Sequence, residues 1–150
     1  MAKPQPRRAA VVAKKTVLSP VLAGGMPRML GVRVLAIGRR KVVAEMPVKR
    51  RHLNISGRVN GGAIMAFADI VAAVGAVAIR PPGFRGGTIE SKTNFFAAGI
   101  GPVLKATAIA LHVGRTTSVW QTTIRNSDGG TVAIVTQTQI MIPERLNAEG

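Results

Sequence analysis

A chain of 150 residues suits a single domain with a buried core. It has no cysteine, which excludes disulfides, a thiolate metal site and a cysteine nucleophile, and its two histidines, His52 and His112, are too few ligands for an ordinary zinc site. The formal net charge of +15 calls for an anionic partner: nucleic acid, a membrane surface or a phosphorylated small molecule.

Residues 1–28 read as a flexible basic arm, since the opening MAKPQPRRAAVVAKK carries five Lys or Arg and no acid. No apolar run with a small-residue cleavage site follows, so a secretory signal is not expected. An acid-free start could serve as an organelle transit peptide, but its prolines argue against one, and a cytoplasmic location is the expectation. Leu22 to Leu30 is read as a short helix or loop. Two strands are predicted over Gly31–Ile37 and Lys41–Met46, joined as a hairpin at Gly38-Arg39. Pro47 to Val59 is a polar loop holding HLNISGRV.

The stretch Asn60–Ile79, NGGAIMAFADIVAAVGAVAI, organises the rest. It is rich in Ala and free of Pro; Asn60 is a good N-cap, and Pro81-Pro82 stops the helix. No polar face exists, so the helix must be covered on most sides. Its length just reaches the roughly 20 residues of a membrane span. A central acid, however, costs about 2.5–3.5 kcal/mol there, and no second span follows. A curved sheet wrapped round the helix is therefore the expectation. Asp69 is the only acid between Glu45 and Glu90. A carboxylate among apolar residues needs a partner. Two roles fit it: a structural acid bonded to backbone, or a reactive group.

PPGFRGG after the helix is turn chemistry. Strands are then predicted over Thr88–Phe96, Pro102–Val113, Thr116–Asn126 and Thr131–Ile142, the last two joined by the turn Ser127-Asp128-Gly129-Gly130. In the second of these, Thr107, Ile109, Leu111 and Val113 share one face, and Ala106, Ala108, Ala110 and His112 the other. His112 and Trp120 are given structural roles, Trp120 in the core or an interface. Residues 144–150 read as a tail. The order ββαββββ with short turns gives an α+β fold, a curved antiparallel sheet of about six strands round one central apolar helix, over residues 29–143.

That element order, with the helix opening on NGG, resembles the hotdog fold. In HLNISGRVNGGAIMAFAD, the spacing of Asn54, Asn60-Gly61-Gly62 and Asp69 resembles the N-x5-HGG-x6-D signature of the PaaI-type acyl-CoA thioesterases, the phenylacetic acid degradation and 4-hydroxybenzoyl-CoA thioesterase-like group. SKTNFFAAGIGPVLKATA, GRTTSVWQTTI and GGTVAIVTQTQ resemble the later strands of that family, so the likeness covers roughly residues 30 to 142. Asn60 departs from it, standing where the family usually has His.

The resemblance implies an acyl-CoA hydrolase without metal or redox cofactor. By the same resemblance Asp69 is the general base or nucleophile, the Gly61 N–H polarises the thioester carbonyl, Asn54 binds substrate or positions water, and Thr88 matches a Ser that contacts the water. Asn60 and Gly62 join the substrate site. The chemistry agrees, because a helix N-terminus offers free N–H groups to the charge that develops on the carbonyl oxygen. Gly61 and Asp69 lie eight residues, about 12 Å, apart along one axis. If both act on one carbonyl they come from different subunits, which requires a homodimer; the resemblance extends this to a tetramer. Arg85, Arg115 and Lys92 are candidates for the phosphates of coenzyme A, and Met65, Phe67, Phe95 and Phe96 for the acyl pocket.

Plainer roles stand beside these: Asn60 as a cap, Gly61-Gly62 for close packing, Asn54 as a turn residue, Thr88 as a strand residue. Two other functions compete: an acyl-CoA-binding protein without catalysis, and a basic nucleic-acid-binding protein. Few aromatics and scattered basic residues argue against nucleic acid, and no membrane partner is expected.

Overall fold

The computed structural model of the chain describes residues 22–144. The expected arm falls outside the described residues up to position 21, and its last part folds into a short helix α1 (Gly25–Leu30), whose Leu30 is buried. Then follow β1 (Arg33–Ile37), β2 (Lys41–Pro47), a 3-10 turn at Arg50–His52, the long helix α2 (Gly61–Ile79), β3 (Phe84–Phe95), β4 (Val103–Val113), β5 (Thr117–Arg125) and β6 (Thr131–Pro143). All strands join one antiparallel sheet in the order β1-β2-β4-β5-β6-β3. Six flat strands would span about 24 Å, far wider than one helix. Yet α2 touches every strand, so the sheet curls round it.

The helix forms where its residues require. Asn60 is extended and its Oδ1 accepts the N–H of Gly62 at 2.7 Å. At the other end Arg80 leaves helical geometry ahead of Pro81. Between them Ile64, Phe67, Ala68, Ile70, Val71, Ala72, Val74, Gly75 and Ala76 are buried. Its length and hydropathy alone would let α2 cross a membrane; here it is the central helix of the fold.

Small residues bring sheet and helix together. On β4 the inward side chains are Leu104, Ala106, Ala108 and Ala110, all buried. Beside them the fully buried Trp120 of β5 lies on Gly75, where a Cβ would stand 2.5 Å from its Cη2. Gly75→Ala is therefore expected to cost about 1–3 kcal/mol through overpacking, read as a lowered midpoint in urea unfolding. An unchanged midpoint would mean that the indole can move aside.

Two sequence expectations change. The β4–β5 register shifts between Ala110 and His112. The bulge reverses the alternation after it, so His112 leaves the alanine face and is exposed, while Val113 comes to lie opposite the buried Ser118. The pair Gly86-Gly87, expected in a turn, lies inside β3, which begins at Phe84 rather than Thr88. A Cβ at Gly86 would overlap the carbonyl oxygen of Ile140 on β6, so close strand approach explains that glycine.

Candidate active site

Asp69 sits two turns into α2, facing β3 and β6. Its Oδ1 accepts the hydroxyl of Thr88 at 2.7 Å and the side-chain amide of Gln137 at 2.6 Å. Gln139 in turn donates to the Thr88 hydroxyl at 2.8 Å. Both glutamines lie on the inward face of β6 and are at most 2% exposed. Buried amides need partners, and the carboxylate supplies one. Thr88 reaches it because the register with β6 shifts between Thr88 and Glu90, which leaves Ile89 as a bulge. Among the described residues no protein group bonds Oδ2 of Asp69. The result is a half-buried carboxylate clamped through one oxygen, with the other free of partners among the described residues.

Thr88 was singled out in the sequence; Gln137 and Gln139 were not. TVAIVTQTQI reads as a β-branched strand with glutamine between, its apolar VAIV followed by the polar TQTQ. The missed signal was phase: both glutamines share parity with Ala133 and Val135, which are core residues.

The other candidates gather at the start of α2. With the N–H of Gly62 taken by the Asn60 side chain and that of Ile64 by the Asn60 carbonyl, the N–H groups of Gly61 and Ala63 have no partner among the described residues. The Phe95 ring lies over Gly61, its Cζ 3.2 Å from where a Cβ would be, so a glycine suits that contact as well as a ligand. Asn54 commits its Oδ1 to the loop, accepting the N–H groups of Ser56 at 2.9 Å and Arg58 at 3.1 Å. Leu53 bridges Val59, and Asn60 N–H bonds the carbonyl of His52, which aims the chain into the helix. Within one chain the Gly61 donor and Asp69 stay about two helical turns apart.

The cationic candidates are not brought to the carboxylate. Pairing with Ile142 and Thr136 places Arg85 and Lys92 on the outer face of the sheet. Arg115 lies exposed in the β4–β5 turn. Phe67 is wholly buried in the core, because its helix face looks into the sheet, and so it cannot line a pocket; Met65, Phe95 and Phe96 are exposed. Instead a cleft of about 250 Å³ opens beside Asp69, running along α2 past Ala73, Ala76 and Val77 to Arg80, with β3 and β6 as its wall. Among the described residues no cluster of three or more potential metal ligands is found.

Comparison with known proteins agrees with this architecture. The family model described as "Thioesterase superfamily" matches residues 56–133. The 1,4-dihydroxy-2-naphthoyl-CoA hydrolase of Listeria monocytogenes is 28% identical over 98 residues, which cover 65% of this chain and 79% of that one. The PaaI protein from the E. coli phenylacetic acid degradation operon superposes with a TM-score of 0.81 at 21% identity, covering 91% of this chain and 98% of that one. A hypothetical thioesterase of Streptococcus pneumoniae, solved with coenzyme A, superposes with a TM-score of 0.69 at 27% identity, covering 76% and 88%. The match spans the helix start, the clamped carboxylate and three of the four strands that follow, and on it the chain belongs to the thioesterase superfamily, a thioester hydrolase with the hotdog fold that it shares with PaaI.

Proposed function

We propose that this enzyme hydrolyses acyl-CoA thioesters to the free acid and coenzyme A, with Asp69 as the reacting carboxylate. The observation that carries the reading is the free oxygen of a clamped carboxylate at the edge of a small, mostly apolar cleft. As a base, Oδ2 takes a proton from water as its oxygen attacks the carbonyl carbon; the C–S bond then breaks and the thiolate leaves, to be protonated. As a nucleophile, Oδ2 attacks the carbonyl carbon directly, the C–S bond breaks and the thiolate leaves to be protonated, and water then cleaves the resulting anhydride to free the acid and regenerate the carboxylate. In both routes the carbonyl oxygen gains charge, which a helix N-terminal N–H stabilises. Gly61 has an open N–H among the described residues, and we assign it from the partner subunit of a homodimer. The Listeria relative, named as a CoA-thioester hydrolase, and the pneumococcal structure with coenzyme A support the choice of thiol. The test is thiol release from short-chain, medium-chain and aryl acyl-CoAs; no release from any of them would sink the reading.

Gln137 is a positioning residue in this scheme. Gln137→Met keeps the length but removes the donor to Oδ1. The expected result is a fall in kcat of about tenfold, the scale of a lost charge-assisted hydrogen bond, with little change in KM. A kcat within twofold of wild type would leave Thr88 as the sufficient anchor.

Asn54, through its uncommitted amide, and Asn60, Gly62 and Thr88 complete the substrate side. Arg85 and Arg115, exposed at one end of the sheet, suit the phosphates of coenzyme A. Arg115→Ala is expected to raise KM, and an unchanged KM removes Arg115 from that role. Pairing of two dimers fits the half-exposed Ile109 and Leu111 on β4; a sedimentation mass of two chains rather than four would exclude it.

A further inference from the structure

The cleft continues well beyond the carboxylate. Asp69, Ala73, Ala76, Val77 and Arg80 recur at the three- and four-residue steps that share one helix face. The stripe is about 16 Å long. It has a carboxylate at one end, a guanidinium at the other and only small apolar side chains between. Arg80 is half-buried, and no hydrogen bond or ion pair engages its side chain among the described residues, where the single ion pair is Arg33 with Glu45. A position at the C-terminal end of α2 favours a cation there, but it leaves five planar donors lining a groove whose one acid, Asp69, lies at the opposite end. Gly86 and Met141, paired across β3 and β6, close the wall opposite.

Size decides what the groove takes. At about 250 Å³ it falls below the roughly 300–1,000 Å³ of pockets that hold drug-sized ligands. Coenzyme A is larger than such a ligand, whereas a short acyl chain is not. With the thioester carbon at Asp69, an acyl chain laid along Ala73, Ala76 and Val77 ends at Arg80.

We propose that this groove seats the acyl group and that Arg80 binds a carboxylate at its far end, so that the preferred substrates are ω-carboxyacyl thioesters, the half-thioesters of linear dicarboxylic acids. The proposal rests on the reading that hydrolysis occurs at Asp69. Arg80 is a specificity residue here and takes no part in bond making.

The experiment uses pairs of CoA thioesters matched in length: succinyl with butyryl, adipoyl with hexanoyl, suberoyl with octanoyl. kcat/KM is measured for wild type, Arg80→Gln and Arg80→Lys. The expected wild-type result is a preference of about tenfold or more for the carboxylated member of at least one pair. Arg80→Gln brings that ratio to about one, and Arg80→Lys retains part of it. The ratio is the readout because general damage to the fold slows both members alike. A wild-type ratio near one overturns the proposal, as does a ratio unchanged in Arg80→Gln. An equal rise in KM for both members also overturns it, by placing Arg80 on the coenzyme. Neutral thioesters hydrolysed without preference sink this proposal alone; no hydrolysis of any thioester sinks the reading beneath it, and this proposal with it.

Discussion

Asp69→Asn is expected to lower kcat for thiol release by about 10²–10⁴-fold, the range of general acid–base catalysis, while the protein stays folded. Asparagine keeps the shape of the side chain, and its carbonyl oxygen can still accept from Thr88 and Gln137 in place of Oδ1. What it loses is the second oxygen. An amide NH₂ at that position neither takes a proton from water nor attacks a carbonyl. The contrast separates the two roles that the sequence left open for Asp69. A structural acid, bonded only to hold β3 and β6 against α2, would show its loss in the melting temperature and leave turnover nearly intact. A reactive carboxylate shows it in kcat with the melt preserved. Residual activity in Asp69→Asn is expected from carbonyl polarisation at the helix N-terminus. Asp69→Glu adds a contrast, since one more methylene pushes the carboxylate off the Thr88 and Gln137 donors, and a low kcat there reports on position rather than charge. A kcat for Asp69→Asn within a few-fold of wild type would remove Asp69 from the chemistry.

The sequence made Asp69 legible because it is a lone charge in a run that is otherwise apolar, and the run itself announced a helix. Asn60 and Pro81 set its ends within one residue of those found. The faces of β4 followed from alternation up to Ala110 and failed after it, because the extra residue of a bulge changes parity without changing composition. Gly86-Gly87 looked like a turn for a related reason: composition does not distinguish a glycine that bends the chain from one that lets a neighbouring strand approach. Gln137 and Gln139 stayed hidden because alternation fixes which residues share a face, and only the position of α2 fixes which face is inside. Arg80 was not singled out in the sequence. Its place at the end of a groove depends on β3 and β6, which come later in the chain. The motif spacing carried the family likeness, while the clamp on Asp69 is a tertiary feature.

Mixing two inactive variants is expected to restore activity, which is the second large effect. Asp69→Ala removes the carboxylate. Gly61→Pro removes the N–H at the start of α2, a position where proline suits helices, and the extended Asn60 before it, with φ −60° and ψ 137°, tolerates a following proline. The half-exposed Phe95 ring must shift to admit the pyrrolidine. Each variant alone should be nearly inactive. Co-expressed, they should show about a quarter of wild-type activity, since half of randomly assorted dimers are mixed and each has one intact site of two. The reason lies in β3, whose outer edge is paired with no other described strand along its twelve residues. On this strand Thr88 marks Asp69 and Phe95 marks Gly61. Thr88 and Phe95 both point inward, opposite Gln139 and Ala133, because the bulge at Ile89 absorbs one residue between them. In a homodimer paired along that edge, a two-fold axis beside Lys92 would set Ser91 opposite the partner's Thr93 and Glu90 opposite the partner's Asn94. The bulge would then place Thr88 opposite the partner's Phe95, with directly opposed residues on one face. That register would bring Asp69 of one subunit to the helix start of the other. If the mixture stays as inactive as its parents while forming dimers, carboxylate and N–H act within one chain, and the twelve-ångström gap between them would have to close by some other donor.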